Sequence, residues 1–329
     1  PPVGSFMLAW EWGVFQRSLG RGVQYYFVKE KSGPAGKETI AAFTFVRHRL
    51  PFGFHYGYTP RGPVVQKESS KNMLQIFRKI QEWGLERHPD LIFIRLEPPV
   101  EGTGFDAAKE GFHIPDYYIQ PRYNHTVPLG GTEGDVVARF HSSTRSNLGR
   151  AERRGVTVAV NALRGPADYE EFFAMAAETM TRNRVANVYP SRAYFDSLVK
   201  SILPLGDVSD PERLSIGTFS GFQNGKIAAI HFVLFFGDMA TYLYGAAYTE
   251  HLSSKVTTYL HWSAMREAKR RGFTYYDLGG VDDDRWPSLT AFKRQFGGTE
   301  FSYVGNVDIP LRPGLHRIYN LLRKVRRTD

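Results

Sequence analysis

The stretch AFKRQFGG, residues 291–298, places a lysine between a phenylalanine and an arginine and ahead of a glycine pair. Lys293 suits two arrangements: an exposed helix end, where the macrodipole attracts cations, or an ammonium set against a negative charge that develops during a reaction. Phe292 then either walls a pocket or belongs to the core. The chain has no cysteine nucleophile and shows no Ser-His-Asp pattern. Its ten histidines include no HxxxH or HExxH pair, so we predict no metal.

Further candidate residues stand at strand ends or along strands. Glu97 ends the apolar stretch LIFIRLE, and the carboxyl ends of strands are where the functional sites of α/β proteins lie. Its carboxylate would orient or deprotonate an amine, or would form an ion pair with Arg61 or Arg95. Arg61 follows another strand and would grip a phosphate or carboxylate, or form a loop salt bridge. Tyr242 and Tyr244 alternate along a third strand, so we expect both on one face, lining a site or packing.

The basic residues are grouped. A net charge of +9 and a pI near 9.5 suit a polyanionic partner or serve solubility. One short helical pattern carries Arg145, Arg150, Arg153 and Arg154. The C-terminal stretch LHRIYNLLRKVRRTD is predicted to be a basic amphipathic helix, packed on a domain or resting on RNA or lipid head groups.

The elements that must position these residues occur twice. In each half three strands are followed by a helix with apolar residues at helical spacing, and then by a buried strand. At 329 residues the chain is long enough for two domains. This order is that of the N-acetyltransferase (GNAT) fold, so we predict an α/β protein with two GNAT-like domains and mixed sheets. No apolar run approaches the ~20 residues that span a bilayer.

Six motifs resemble the FemABX family in order and approximate spacing, over nearly the whole chain. They are YTPRGPVV (58–65), IRLEPP (94–99), GFHIPDYYIQPRYNHTVPL (111–129), STRSNLGRAERRGVTV (143–158), YYDLGGV (275–281) and AFKRQFGG. The resemblance implies transfer of an amino acid from aminoacyl-tRNA to an amine of a peptidoglycan precursor, UDP-linked or lipid-linked. It implies no cofactor beyond that co-substrate. The short connection LPLGDVSDPER predicts that the helical arm of some members is absent.

The resemblance also assigns domains and roles. It implies a precursor-binding domain of residues 1–130 with 299–329, and a second domain of residues 131–298 on the aminoacyl-tRNA side. Lys293, Phe292 and Glu97 are the expected catalytic residues; Glu97 stands where the family usually has Asp. The substrate-binding residues are expected to be Arg61, Tyr242, Tyr244, Arg184 and Arg192, and those that contact tRNA are expected to be Arg145, Arg150, Arg153, Arg154 and Arg294.

Two other functions fit parts of the sequence. A GNAT-type acyl-CoA N-acyltransferase is disfavoured because neither AAYTEHLSSKV nor TPRGPVVQKESS offers a glycine-rich turn for the pyrophosphate. A basic RNA- or glycan-binding module without catalysis is disfavoured by the FK…FGG context of Lys293. For the transferase we expect a cytoplasmic monomer, with peripheral contact at the inner face of the membrane as one option.

Overall fold

The computed structural model describes residues 5–32, 36–66, 70–101, 107–183, 189–206 and 210–325. The chain divides into two compact units. The first comprises Gly20–Arg122 and Ser302–Asp329, and the second comprises Pro2–Leu19 and Tyr123–Phe301. Both units are built on a mixed sheet, as predicted, and the second is inserted before a C-terminal segment that returns to the first.

The first unit is a sheet in the order β1-β2-β3-β5-β14, with β4 paired to β2. Among the strands that the structure describes in this sheet, only β3 and β5 pair in parallel. Buried aromatic and aliphatic side chains from the sheet and from α2 form its core. The elements are β1 (Gly22–Ser32), β2 (Gly36–Arg49), β3 (His55–Thr59), β4 (Val64–Val65), α2 (Ser70–Arg87), β5 (Leu91–Leu96), β14 (Val307–Pro310) and α9 (Pro313–Val325).

The second unit is a sheet in the order β13-β6-β12-β11-β10-β9-β7, with β8 paired to β9. A separate apolar cluster covers each face of this sheet. The strands are β6 (Tyr123–Pro128), β7 (Val156–Ala162), β8 (Leu203–Pro204), β9 (Ser215–Gln223), β10 (Lys226–Phe236), β11 (Met239–Ala247), β12 (Tyr275–Val281) and β13 (Thr299–Ser302). The helices are α1 (Trp10–Ser18), α3 (Glu133–Ala138), α4 (Ser142–Arg153), α5 (Glu170–Asn183), α6 (Arg192–Ser201), α7 (Val256–Arg270) and α8 (Pro287–Arg294).

Local chemistry explains why these elements form where the sequence predicts them. Asn224 and Gly225 both have positive φ, 50° and 78°, which is the two-residue turn that joins twisted antiparallel strands, here β9 and β10. The helix α7 buries Val256, Leu260 and Ala264, spaced four residues apart, against the sheet.

The division differs from the predicted boundaries in two places. The segment Pro2–Leu19 belongs to the second unit, because α1 packs its aromatic residues against α6; Phe15, for example, lies 4.8 Å from Tyr194 between ring centroids. The strands β6 and β13 also belong to the second sheet, so the chain passes between units at Arg122 and again after Phe301. Among the described residues no helical arm stands between α6 and β9, and no helix is long and apolar enough to cross a bilayer.

Candidate active site

Lys293 lies on the buried face of α8. Thr290 on that face and Phe296 just after the helix are fully buried, and Lys293 itself is only 5% exposed. The Thr290 hydroxyl accepts from the backbone N–H of Asp282 at 2.9 Å, which fixes the start of the helix against the preceding loop. A lysine at a position where helical spacing calls for an apolar residue is costly for stability, and such buried ionisable groups cluster at functional sites.

The Lys293 ammonium donates to the backbone carbonyl of Gly280 at 2.6 Å. Burial lowers the pKa of Lys293 to about 8, and the carboxylate of Asp277 opposes that shift. Asp277 is itself held in place, since it accepts from the Asn124 amide at 2.9 Å and from the Gly279 N–H at 2.7 Å. The result is a fixed cation that remains mostly protonated at neutral pH and sits near a positioned carboxylate.

The ammonium faces a gap in the sheet. The strands β11 and β12 pair in parallel only as far as Thr241 and Asp277, and no register is formed beyond that point. Gly279, in the unpaired part of β12, has a φ of +79°; a Cβ built there would lie 3.7 Å from the Lys293 Nζ and 3.8 Å from the carbonyl oxygen of Tyr242. Lys293 therefore lies where the two strands separate, with backbone groups of both strands nearby.

Aromatic and imidazole rings cover this region on one face of the sheet. The ring of His261 lies 4.4 Å from that of His231, 4.7 Å from that of Tyr242 and 5.7 Å from that of Phe292. Burial lowers the pKa of His231 to about 3 and that of His261 well below its usual range. Both imidazoles are therefore neutral at pH 7, which leaves Lys293 as the cation of this cluster. Phe292 is half-buried and also packs on Phe296, so it belongs to the core as well as to the site.

The expectation that Tyr242 and Tyr244 share a face is wrong. A β-bulge in β11 leaves Leu243 without a partner, because Val233 pairs with Tyr242 while the adjacent Phe232 pairs with Tyr244. The extra residue reverses the alternation of side chains. Tyr242 consequently packs on the Lys293 side, and Tyr244 packs on the opposite face against Phe195, 5.7 Å between ring centroids.

The first unit holds a second polar cluster, around Glu97. This carboxylate is 2% exposed at the end of β5; it accepts from the Tyr58 hydroxyl at 2.6 Å and from the backbone N–H of Gln120 at 3.2 Å. Burial raises the pKa of Glu97, and the positive charge of Arg61 opposes that shift. Because both oxygens already accept hydrogen bonds within the fold, the geometry suits an anchor for the surrounding loops better than a general base.

Arg61 lies in the loop that Glu97 helps to hold. It has a φ of 47°, and its guanidinium donates to the carbonyl of Pro121 at 2.9 Å and stacks 3.6 Å from the ring centroid of Tyr303. Arg95, the other pairing partner considered for Glu97, instead forms a two-pronged, fully buried salt bridge with Asp308 at 2.6 and 2.7 Å. The structure thus brings Arg61 and Glu97 together within the first unit.

The chain is similar to proteins of known name and structure. Residues 139–294 match the family model described as an acetyltransferase (GNAT) domain. The chain is 21% identical to the lipid II:glycine glycyltransferase of Staphylococcus haemolyticus, over 96% of this chain and 90% of that protein, and 21% identical to the protein of the same name from Staphylococcus aureus strain USA300, over 79% and 78%. It also matches the crystal structure of FemX with a TM-score of 0.78 at 18% identity, over 96% and 94% of the two chains. These matches confirm the predicted resemblance to the FemABX family.

Two further residues expected to act, Arg192 and Arg294, lie on the surface of the second unit. Arg192 pairs with Glu170 and lies 4.6 Å from the ring centroid of Phe173, on the same side of the sheet as Tyr244. Arg184 falls outside the described residues. Arg294 is exposed and its guanidinium donates to the carboxylates of both Asp283, at 2.6 Å, and Glu300. These two ion pairs connect α8 to the loop before it and to β13. They also compete with the expected contact between Arg294 and tRNA.

The arginines of α4 are exposed. Arg145 donates to the carbonyl of Phe140 just after α3, and Arg154 donates to the carbonyl of Ser253. Neither Arg150 nor Arg153 forms an ion pair with any residue that the structure describes. These two side chains are therefore the better candidates of the group for contact with phosphates.

One group of side chains in the first unit has a spacing that suits a metal ion. His113, Asp308 and His316 each offer a ligand atom, all within 4.8 Å of one another. Both oxygens of Asp308 already accept from Arg95, and one is also 2.9 Å from His316. A buried guanidinium bound to the carboxylate works against a cation at the same oxygens. The cluster thus fits a structural salt bridge better than a metal centre.

Four residues of these clusters were not singled out from the sequence. Tyr58 and Gln120 orient Glu97, while Asn124 holds Asp277, whose charge acts on Lys293. All four fall inside the motifs that resemble the family, and that position was the only signal for them in the sequence.

Proposed function

We propose that the chain is an aminoacyltransferase that moves an amino acid from aminoacyl-tRNA to an amine on the stem peptide of a peptidoglycan precursor. The observation that carries the proposal is the buried ammonium of Lys293 at the point where β11 and β12 separate. The resemblance to the FemABX family supports it, as do relatives named lipid II:glycine glycyltransferase. No nucleophile of the enzyme is needed, because the ribose ester of aminoacyl-tRNA is already activated.

The reaction makes one bond and breaks one. The amine nitrogen attacks the ester carbonyl carbon, the bond between that carbon and the ribose oxygen breaks, the amine gives up a proton and the ribose oxygen takes one. A tetrahedral oxyanion forms on the way. Lys293 is suited to stabilise that oxyanion or the departing ribose oxygen, and the loss of one such donor typically costs about 2.7–4 kcal/mol. A pKa of about 8 also lets Lys293 pass a proton to the leaving oxygen near neutral pH.

The first unit would bind the precursor. Its candidate contacts are on the loop that carries Arg61, which Glu97 and Tyr58 hold in place. The second unit would bind the donor, with Arg150 and Arg153 of α4 at the phosphates of the tRNA. Because aminoacyl-tRNA is a cytoplasmic substrate, we place the reaction in the cytoplasm and expect a monomer to carry it out.

The proposal is tested by incubating the full chain with tRNA charged with a mixture of radiolabelled amino acids and with either UDP-linked pentapeptide or lipid-linked precursor. We expect label to pass to one of the two precursors. In the same assay Lys293→Met should lose transfer. Lys269→Met is the matched control, since Lys269 also donates to a backbone carbonyl, that of Leu129 at 2.9 Å, but lies away from α8.

A parallel incubation uses labelled acetyl-CoA in place of aminoacyl-tRNA. Between β11 and α7 the chain forms a 3-10 turn, Thr249–Ser254, and Lys255 precedes α7, so no glycine-rich nest of N–H groups stands there for a pyrophosphate. We therefore expect no acetyl transfer. Transfer from acetyl-CoA but from none of the aminoacyl-tRNAs would overturn the proposal.

A further inference from the structure

The helix α9 packs on the first unit through its polar and aromatic residues. His316 is 4% exposed and lies 2.9 Å from the carboxylate of Asp308. Tyr319 lies 4.9 Å from Phe93 between ring centroids, and the Arg323 guanidinium stacks 3.5 Å from the ring centroid of Tyr117. The inward face of this helix is thus already filled by specific contacts.

The apolar residues of α9 point away from the unit. Ile318, Leu321 and Leu322 are 54%, 64% and 60% exposed. They are spaced three and four residues apart and so form one stripe on the helix surface. In a surface helix of a globular protein the apolar stripe normally faces the core. In α9 the arrangement is reversed, which indicates that something other than this unit covers the stripe.

Cations border the stripe on one side. Arg317 and Lys324 are exposed, and their seven-residue spacing puts them on the same edge of α9. Neither forms an ion pair with any residue in the described part of the chain. Both line an open groove beside the helix, together with Gln81, His113 and Asn320. A partner that fits this surface must offer apolar contact in the middle and negative charge at the edge.

We propose that α9 docks the protein on a bilayer that contains anionic phospholipid. Ile318, Leu321 and Leu322 would enter the boundary between head groups and acyl chains, and Arg317 and Lys324 would meet lipid phosphates, as in helices that lie in the plane of an interface. RNA fits less well, because it is bound through cations and aromatic stacking, whereas the exposed stripe is aliphatic. A second copy fits less well because the chain carries a net charge of +9.

This inference concerns a surface separate from Lys293 and does not depend on the reaction. The test is co-sedimentation of the full chain with vesicles of phosphatidylcholine alone or with about a third of phosphatidylglycerol. We expect binding to the anionic vesicles that weakens with added salt. Leu321→Ser combined with Leu322→Ser should reduce it by at least about 100-fold, and Arg317→Gln combined with Lys324→Gln by roughly 10-fold or more.

A control and a second measurement keep the test independent of folding. Phe27 belongs to the same unit, is 65% exposed and lies on β1, the edge strand at the other end of the sheet from β14. Phe27→Ser should therefore leave vesicle binding unchanged. In Leu321→Trp the emission maximum should shift to shorter wavelength on addition of anionic vesicles. The proposal is overturned if the wild type does not bind vesicles, or if the α9 variants bind as the wild type does. It is also overturned if those variants abolish only binding to RNA or only self-association.

Discussion

Replacing Lys293 with methionine should make the protein more stable at neutral pH while it removes most of the turnover. Methionine fills a similar volume and removes a charge that is 5% exposed. Burial has lowered the pKa of Lys293 from 10.5 to about 8. A difference of one pH unit corresponds to about 1.4 kcal/mol, so the folded state bears a cost of about 3 kcal/mol for keeping this ammonium protonated.

The sign of the pH dependence follows from proton binding. Between pH 8 and 10.5 the unfolded chain holds a proton that the folded chain has lost, so the stability of the wild type rises with pH in that window. Methionine has no such proton. It also leaves the Gly280 carbonyl without its donor, an offset of about 1–3 kcal/mol that does not depend on pH. Lys293→Met should therefore be most favourable for stability near pH 7 and lose about 2 kcal/mol of that advantage by about pH 9.5.

Urea unfolding followed by circular dichroism at the two pH values measures this difference, with Lys269→Met as the control. Single-turnover transfer from labelled aminoacyl-tRNA measures the catalytic loss, which should be about 100- to 1000-fold. Lys293→Arg should restore little, because a planar guanidinium does not replace a compact ammonium. Near-wild-type turnover in Lys293→Met, or a stability difference that is the same at both pH values, would refute the reasoning.

Three further changes test other parts of the structure. Glu97→Gln should keep most of the turnover if the residue anchors loops, whereas loss of a general base costs about 100- to 10,000-fold. Because burial raises the pKa of Glu97, the stability of the wild type should fall as the pH rises above 4.5. The stability of the variant should not change in this way, and urea unfolding measures the difference. Arg150→Gln with Arg153→Gln should weaken binding of aminoacyl-tRNA and flatten the plot of log affinity against log salt by about 1.5–2, measured by filter binding. Gly298→Ala should lower the unfolding free energy by at least about 2 kcal/mol, because φ is +93° and the new Cβ would lie 2.1 Å from a backbone oxygen. Gly272→Ala is the control, since Gly272 has a similar φ of +88° but open space around it. This control should lower the unfolding free energy by about half as much.

The parts of the fold that the sequence predicts are those set by local rules. The Asn224-Gly225 turn and the spacing of apolar residues in α7 depend only on neighbours in the chain, which is why the order of strands and helix can be predicted. The face of Tyr244 was not predicted, because it depends on a bulge at Leu243 that no residue type marks. The outward orientation of α9 was also undetermined, since a helical pattern shows which residues share a face but not what covers that face.

The sequence indicates only those residues of the candidate sites that have a local signal in the chain. Lys293 and Glu97 stand at recognisable places in the chain, at a helix end and at a strand end. Their partners come from distant segments: Asn124 reaches Asp277 across 153 residues, and Gln120 reaches Glu97 across 23. Pairing at such distances is fixed by the sheet order, which one sequence does not reveal.

The salt bridge between Arg95 and Asp308 has a consequence for the order in which the chain assembles on the ribosome. The two residues are 213 positions apart, and the strand that carries Asp308 also completes the first sheet. At about 5–20 residues per second, Arg95 waits roughly 10–40 seconds for its counter-ion. Burial of a lone guanidinium is strongly unfavourable, so we infer that the first unit stays open during that interval. The second unit, whose residues are all available by Phe301, is then the first to close, although most of it is synthesised later.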